Sequence, residues 1–503
     1  MKLTIEQVEA ISLAHIPFEL SAEDRDRIAR GHSALQQLLA RGERIYGVNT
    51  GVGGNIKFAL QAEQAELLQE NIMRHLSCAT GAPLPSETVR AAMLLRLATF
   101  ATGFSGVRVE LAEALAALLA RGVTPIVPRY GSVGASGDLM PSAYIARVLI
   151  GMGEAEYEGT RMPALDALSR AGLAPIRFAP KEGLALINGT TMMTAIAALL
   201  WQDAGRVLRA LLAAIALSIE AVLAPVEPYE DWVHQAKGHP GQIAVAAYMR
   251  RLLAGSKSQN DPAAQSCYSL RCPPQGLGPL WEALDAGRAV IEREINSAND
   301  NPLIDPDAVR VYRAGNFYGG HIARLLDGLK IDLAIAGNWG NSLMALLVDD
   351  RFNNGLPPNL TPEPGVNSGL KGMQLSVTSL TCAIRQFAGP SSIHSLPTEQ
   401  YNQDVVSLGM HSAVTALDAL ECLRNEVAML LIAAVQAVDL RGCSDSLGEG
   451  AGFVYQVVRI HVPFMDRDRA LETEVRELSR LVSLGVVDLP PAGYPGSGAP
   501  FPT

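Results

Sequence analysis

Aromatic residues are scarce in this 503-residue chain, at 5%, although 48% of it is hydrophobic. The core must therefore be built from Ala, Leu, Val and Ile, a mixture that favours helices. Cysteine is sparse too. Cys78, Cys267, Cys272, Cys382, Cys422 and Cys443 include no Cys-x-x-Cys pair, which excludes a disulfide framework and a zinc site. Six such residues are expected as small buried hydrophobes in a reducing compartment. Basic clusters are missing as well: a net charge of −10 and a pI near 5.5 argue against a nucleic-acid partner. The opening Met-Lys-Leu-Thr-Ile-Glu lacks the apolar run of a signal peptide. Residues 183–202 carry no charge and are nearly long enough to cross a bilayer, but Asn188, Gly189, Thr190 and Thr191 interrupt them. A buried helix with a polar N-terminal end fits better. The expectation is a soluble cytoplasmic protein with no membrane or nucleic-acid partner and no metal.

What is present is helical periodicity. Residues 110–119, 208–222, 280–296 and 322–347 all read as helices, and 410–440 most clearly. That last segment places Val414, Leu417, Leu420, Leu423, Val427, Leu431, Val435 and Val438 at spacings of three and four. Its apolar surface exceeds one face, which favours association between chains. Glycine-rich loops at 51–54 and 131–137 lie between helices, where backbone can approach a ligand closely. The periodicity lengthens near residue 182, giving an expected division into 1–181 and 182–503. The Pro/Gly-rich tail after Asp488 is expected to be loose.

The centre of Arg-Tyr-Gly-Ser-Val-Gly-Ala-Ser-Gly-Asp-Leu-Met-Pro, residues 129–141, carries a specific chemistry. In Ala135-Ser136-Gly137 the amide nitrogen of Gly137 can attack the Ala135 carbonyl carbon. Loss of two waters, one taken from the Ser136 hydroxyl, then leaves 4-methylidene-imidazol-5-one (MIO), an electrophile made from the chain itself. Gly137 permits the sharp fold, and Ala135 is small enough for the turn. Beside this tripeptide stand Ile-Tyr-Gly-Val-Asn-Thr-Gly-Val-Gly-Gly (45–54), Ile-Asn-Gly-Thr-Thr (187–191), Gln-Ser-Cys-Tyr-Ser-Leu-Arg (265–271), Ser-Ala-Asn-Asp-Asn-Pro (297–302), Gly-Asn-Phe (315–317) and Asn-Gln-Asp-Val-Val-Ser (402–407). In content and order these resemble the histidine, phenylalanine and tyrosine ammonia-lyases and their related aminomutases.

The resemblance implies a mainly α fold of the fumarase/aspartase-like kind, with a smaller N-terminal part carrying the MIO loop and an elongated central bundle. Four chains would pack as a homotetramer whose active sites are shared between chains. MIO would be the only cofactor, and the substrate a small aromatic amino acid. Removing ammonia from such a substrate needs an electrophile for the amine, a base at the β-carbon and a fixed carboxylate. By resemblance Tyr46 is that base, Arg271 holds the carboxylate through its guanidinium fork, and Tyr268 positions the amine or stabilises the MIO. Asn188 would hydrogen-bond the MIO carbonyl, Phe317 would pack against its ring, and Asn301 and Gln403 would complete the polar lining. Asp138 would assist ring formation.

Two positions speak to substrate. His75-Leu76 resembles the pair carried by tyrosine-accepting members, a buried imidazole meeting the phenol hydroxyl. Gln403 stands where histidine lyases have glutamate. The expected reaction is L-tyrosine to trans-4-coumarate and ammonia. The alternatives are a tyrosine 2,3-aminomutase, a phenylalanine or histidine lyase and, in another class, a catalytically silent scaffold. Ser266, Tyr318 and Gly337-Asn338-Trp339-Gly340-Asn341 depart from the family pattern.

Overall fold

The computed structural model describes residues 1–13, 16, 18–257 and 265–489; most of the expected loose tail, from 490 on, lies outside them. The chain is mainly α, and each anticipated helix is present. They run Val109–Ala120, Thr191–Ala221, Pro273–Ile295, Gly320–Val348 and Gly409–Arg441. Two compact units form, each from three separated stretches: 1–202, 286–328 and 389–417 in the first, 203–285, 329–388 and 418 onward in the second.

In the first unit the Ser86–Phe100 helix is buried at every position from Thr88 to Phe100. Such a helix needs partners for its polar residues, and Arg90 and Arg96 both find backbone carbonyls. A small cluster of Ala34, Leu35, Leu38, Ile45, Val48 and Ile304 anchors both sides of Tyr46. Short antiparallel strands then place the loops. Thr80–Pro83, just after the Ala62–His75 helix, pairs with Pro128–Tyr130, from which the 131–137 loop departs. Leu303–Asp305 pairs with Arg310–Tyr312 and sets up the segment leading to Phe317.

Residues 183–202 are not one helix. Glu182–Ile187 ends at Asn188, whose backbone is extended, and a new helix begins at Thr191. The polar residues that lowered its hydropathy break the helix instead of capping it. One helix among the described residues, Gly320–Val348, is long and apolar enough to cross a bilayer by length and composition; 56% of its most apolar stretch is buried in protein.

The cysteines correct another expectation. Only Cys443 is buried, while Cys78, Cys267 and Cys382 are exposed. Cys382 shows why: its helix, Lys371–Phe387, buries the narrow stripe of Val377, Thr381 and Ile384. A residue one step beyond Thr381 is turned about 100° away.

In the second unit the unusual 337–341 stretch is explained by packing. A side chain at Gly340 would meet the buried Glu426 carboxylate at 2.1 Å. Trp339 lies close over Gly276 and donates its indole N–H to the Ser269 carbonyl at 3.1 Å. Asn338 and Asn341 accept from Arg385 and Thr378 at 2.7 and 2.8 Å. Gly340 fits where a larger residue would meet Glu426, and the two asparagines serve as acceptors for their neighbours.

Candidate active site

The Ala135-Ser136-Gly137 loop turns sharply. Ser136 and Gly137 both take left-handed backbone, φ 49° and 81°, a conformation costly for residues other than glycine. A Cβ at Gly137 would lie 2.1 Å from the Gly189 carbonyl oxygen, so nothing larger fits. Gly189 brackets the tripeptide. Its N–H donates to the Ser136 carbonyl at 3.1 Å, and its carbonyl accepts from Asp138 N–H at 2.7 Å. The carbonyl that would become that of the MIO thus already holds a backbone donor. Behind the loop, Asp138 accepts from Met193 N–H at 2.8 Å, and burial pushes its carboxyl up to about 7.

Two cavities open on Ser136. One, of about 410 Å³, is lined by Tyr46, His75, Leu76, Asn188, Glu399 and Gln403 together with apolar Ile72, Met140, Leu184 and Ile187. The other, of about 490 Å³, is lined by Asn301, Arg313, Phe317, Tyr318 and Asp404. Tyr46, Ala135, Ser136 and Gln403 border both. The structure thereby brings eleven of the thirteen sequence-expected residues to this region, Gly137 and Asp138 behind the loop included. Tyr268 and Arg271 belong to the second unit and line neither cavity. Tyr268 is 69% exposed, with the Arg271 guanidinium 5.0 Å over its ring. Arg271 donates to Gln265 at 2.9 Å.

The Tyr46 hydroxyl accepts the N–H of Gly53 at 2.8 Å. Burial and then the Glu399 carboxylate nevertheless hold its pKa above the usual phenol value, against that hydrogen bond. Glu399 escaped sequence reading. It accepts from Gly54 N–H at 2.8 Å and so fastens the loop beside Tyr46. Glu399, Gln400 and Tyr401 all have positive φ, 48°, 53° and 63°, local strain of the kind found at functional sites. A Glu-Gln-Tyr run carries no sequence signal for it.

His75 is exposed, which corrects the expectation of a buried imidazole; Leu76 is buried. His75 is the last residue of its helix, so no further turn covers it. Its Nδ1 lies 3.0 Å from the Asn71 carbonyl, which can only accept. In the neutral ring Nδ1 therefore carries the proton, and Nε2 is an acceptor. Gln403 receives the Thr398 hydroxyl on Oε1 at 2.8 Å, leaving its amide hydrogens as donors. Asn188 donates to the Asn301 carbonyl at 3.1 Å, while Oδ1 of Asn188 is buried without a partner.

Arg313 also went unnoticed in the sequence. Its Nη2 donates to the Arg44 carbonyl at 2.6 Å, and no carboxylate pairs with it among the described residues. It places a guanidinium at the polar cavity.

Comparison with known proteins gives the family and the fold. The family model described as aromatic amino acid lyase matches residues 3–460. The histidine ammonia-lyase of Geobacillus thermodenitrificans is 38% identical over 476 residues, 94% of each chain. Among solved structures, the Pantoea agglomerans phenylalanine aminomutase superposes with a TM-score of 0.92 at 32% identity, covering 96% of this chain and 98% of that one. The tyrosine aminomutase of Streptomyces globisporus gives 0.92 and 32%, covering 97% and 96%. The chain belongs to the aromatic amino acid lyase family. That family's enzymes work through MIO, and the curled tripeptide, the glycine that no side chain could replace and the backbone donor on Ser136 all fit that group.

Proposed function

We propose that this chain is a carbon–nitrogen lyase acting on an aromatic L-amino acid whose ring offers a hydrogen-bond donor, with L-tyrosine, giving trans-4-coumarate and ammonia, as the leading substrate. The observation that carries this is the His75 tautomer. His75 lines the apolar cavity with Nε2 as its free acceptor, so a phenol O–H gains a hydrogen bond there that phenylalanine cannot make.

The two cavities divide the substrate naturally. The ring suits the apolar one, the carboxylate suits the one holding Arg313 and Asn301, and the amine falls between them at Ser136. MIO supplies the electrophile that turns the amine into a leaving group. Tyr46, bordering both cavities, is the base for the β-hydrogen, and the Gly53 N–H stabilises its phenolate form. Tyr268 and Arg271 reach the site from a second copy of the chain, within a homotetramer. Their exposure and their place outside both cavities support this.

L-Histidine is the second reading. Several relatives at 36–38% identity are named histidine ammonia-lyases, and an imidazole N–H could also donate to Nε2 of His75. Against it stands Gln403, a neutral amide, although Glu399 in the same cavity offers an imidazolium a counter-charge. Incubation with L-tyrosine, L-phenylalanine and L-histidine separately, with products resolved by chromatography, decides. Coumarate from tyrosine alone supports the leading reading and urocanate from histidine replaces it. β-Tyrosine makes the enzyme a mutase, and no product from any of the three refutes the whole proposal.

A further inference from the structure

Two arginines on the buried Ser86–Phe100 helix do similar work at different places. Arg90 donates to the carbonyls of Ser12, Leu119 and Ile11 at 3.1, 3.2 and 3.4 Å, closing the exposed ends of two helices. Arg96 is buried beside the tripeptide's support. Its Nη1 lies 3.0, 2.8 and 3.1 Å from the carbonyl oxygens of Ala185, Asn188 and Asn299, and Nη2 lies 3.3 Å from the Thr191 hydroxyl. Both ends of the 188–191 turn are thus held by one guanidinium. Within that turn sits Gly189, whose N–H and carbonyl take Ser136 and Asp138, one on each side of Gly137. A Cβ on Gly189 would come within 2.9 Å of Arg96 Nη2 and 2.4 Å of the Asn299 carbonyl, so the turn has no slack on that side.

We infer that Arg96 is the positioning residue for MIO formation: it fixes the 188–191 turn that holds the tripeptide in its curl. The inference rests on the tripeptide's maturation and not on any choice of substrate. In that closure the Gly137 nitrogen bonds to the Ala135 carbonyl carbon. The Ala135 oxygen leaves as water with the protons of the Gly137 and Ser136 nitrogens, and a double bond forms between the Ala135 carbon and the Ser136 nitrogen. The Ser136 hydroxyl then leaves with the Ser136 Cα proton as the second water. No electrons are gained or lost. The step has a high barrier until Gly137 N is held against Ala135, so its rate depends on how firmly the curl is fixed.

Intact-mass measurement of freshly synthesised protein over time reads this directly, since maturation leaves the chain two waters lighter. Arg96→Lys, which keeps the charge but loses the planar fork, should slow that loss about tenfold or more. Arg90→Lys serves as the control for mere destabilisation, being equally buried on the same helix, and should mature at the parent rate. A folded Arg96→Lys that matures as fast as the parent overturns the inference, as does an Arg90→Lys slowed equally. If Arg96→Lys does not fold, Thr191→Val, which removes one acceptor from the same guanidinium, takes its place: slowed loss of water supports the inference and an unchanged rate overturns it. Full loss of both waters in a parent protein that turns over none of the three amino acids would refute the substrate reading alone.

Discussion

At the scale of single residues, hydrogen-bond direction decides more than residue type. His75 was legible as a selector only through its resemblance to a family pair; the Asn71 carbonyl that fixes its tautomer lies one helical turn back. Replacing His75 by phenylalanine should lower the kcat/KM preference for tyrosine over phenylalanine by up to roughly tenfold, the scale of one net hydrogen bond at about 0.5–1.5 kcal/mol; an unchanged ratio clears His75 of the role. Tyr46 was legible through its resemblance to a family motif, but not the charge that opposes it. Burial and Glu399 both raise its pKa, so a reaction needing the phenolate gains activity as pH rises through the alkaline range. Glu399→Gln removes the negative charge while keeping an acceptor for Gly54 N–H. The rising limb of kcat/KM against pH should then move to lower pH; a limb that stays in place shows that Glu399 does not govern Tyr46.

At the scale of elements, the helices were readable because their apolar period runs unbroken for many turns, as in Gly409–Arg441. Interruptions were harder to read. Asn188-Gly189-Thr190 looks like a polar start to one helix, and only the partners waiting across the fold, Arg96 and Ser136, make it a turn. The 337–341 stretch was equally opaque, since the reason for its glycines is a carboxylate more than eighty residues away. Burial pushes Glu426 well above the ordinary carboxylate range, with the Thr381 hydroxyl at 2.9 Å opposing in part. An acid whose pKa is raised on folding holds its proton longer in the native state. Stability is therefore lost as pH rises from the unfolded value of about 4.3 towards the folded one. Glu426→Gln removes that loss. Thermal melts should show the variant ahead of the parent at pH 7 and level with it near pH 4; equal melting at both would mean that Glu426 sits in a more polar setting than its packing indicates.

At the scale of the whole molecule, two of the expected site residues stand away from the cavities. Tyr46, the tripeptide, Asn188 and Gln403 gather around two cavities of the first unit, while Tyr268 and Arg271 stand exposed or half-exposed in the second. Sequence could name all of them through family motifs, yet linear order says nothing of which chain delivers which residue. Exposed apolar side chains such as Leu375, Ile393, Leu396 and Val405 are a further cost that an isolated chain would bear and an oligomer would relieve. If a second copy supplies Arg271, two inactive variants can repair each other. Tyr46→Phe removes the base and Arg271→Ala the carboxylate clamp, a loss of roughly 3–5 kcal/mol for one partner of a buried charge pair. Each alone should be nearly inactive as a homo-oligomer. Co-expressed, some sites would receive an intact Tyr46 from one chain and an intact Arg271 from another, and activity should rise well above either parent. Mixed oligomers isolated with two affinity tags, and still inactive, would show that one chain supplies both residues, and the shared-site reading would fall while the MIO chemistry stood.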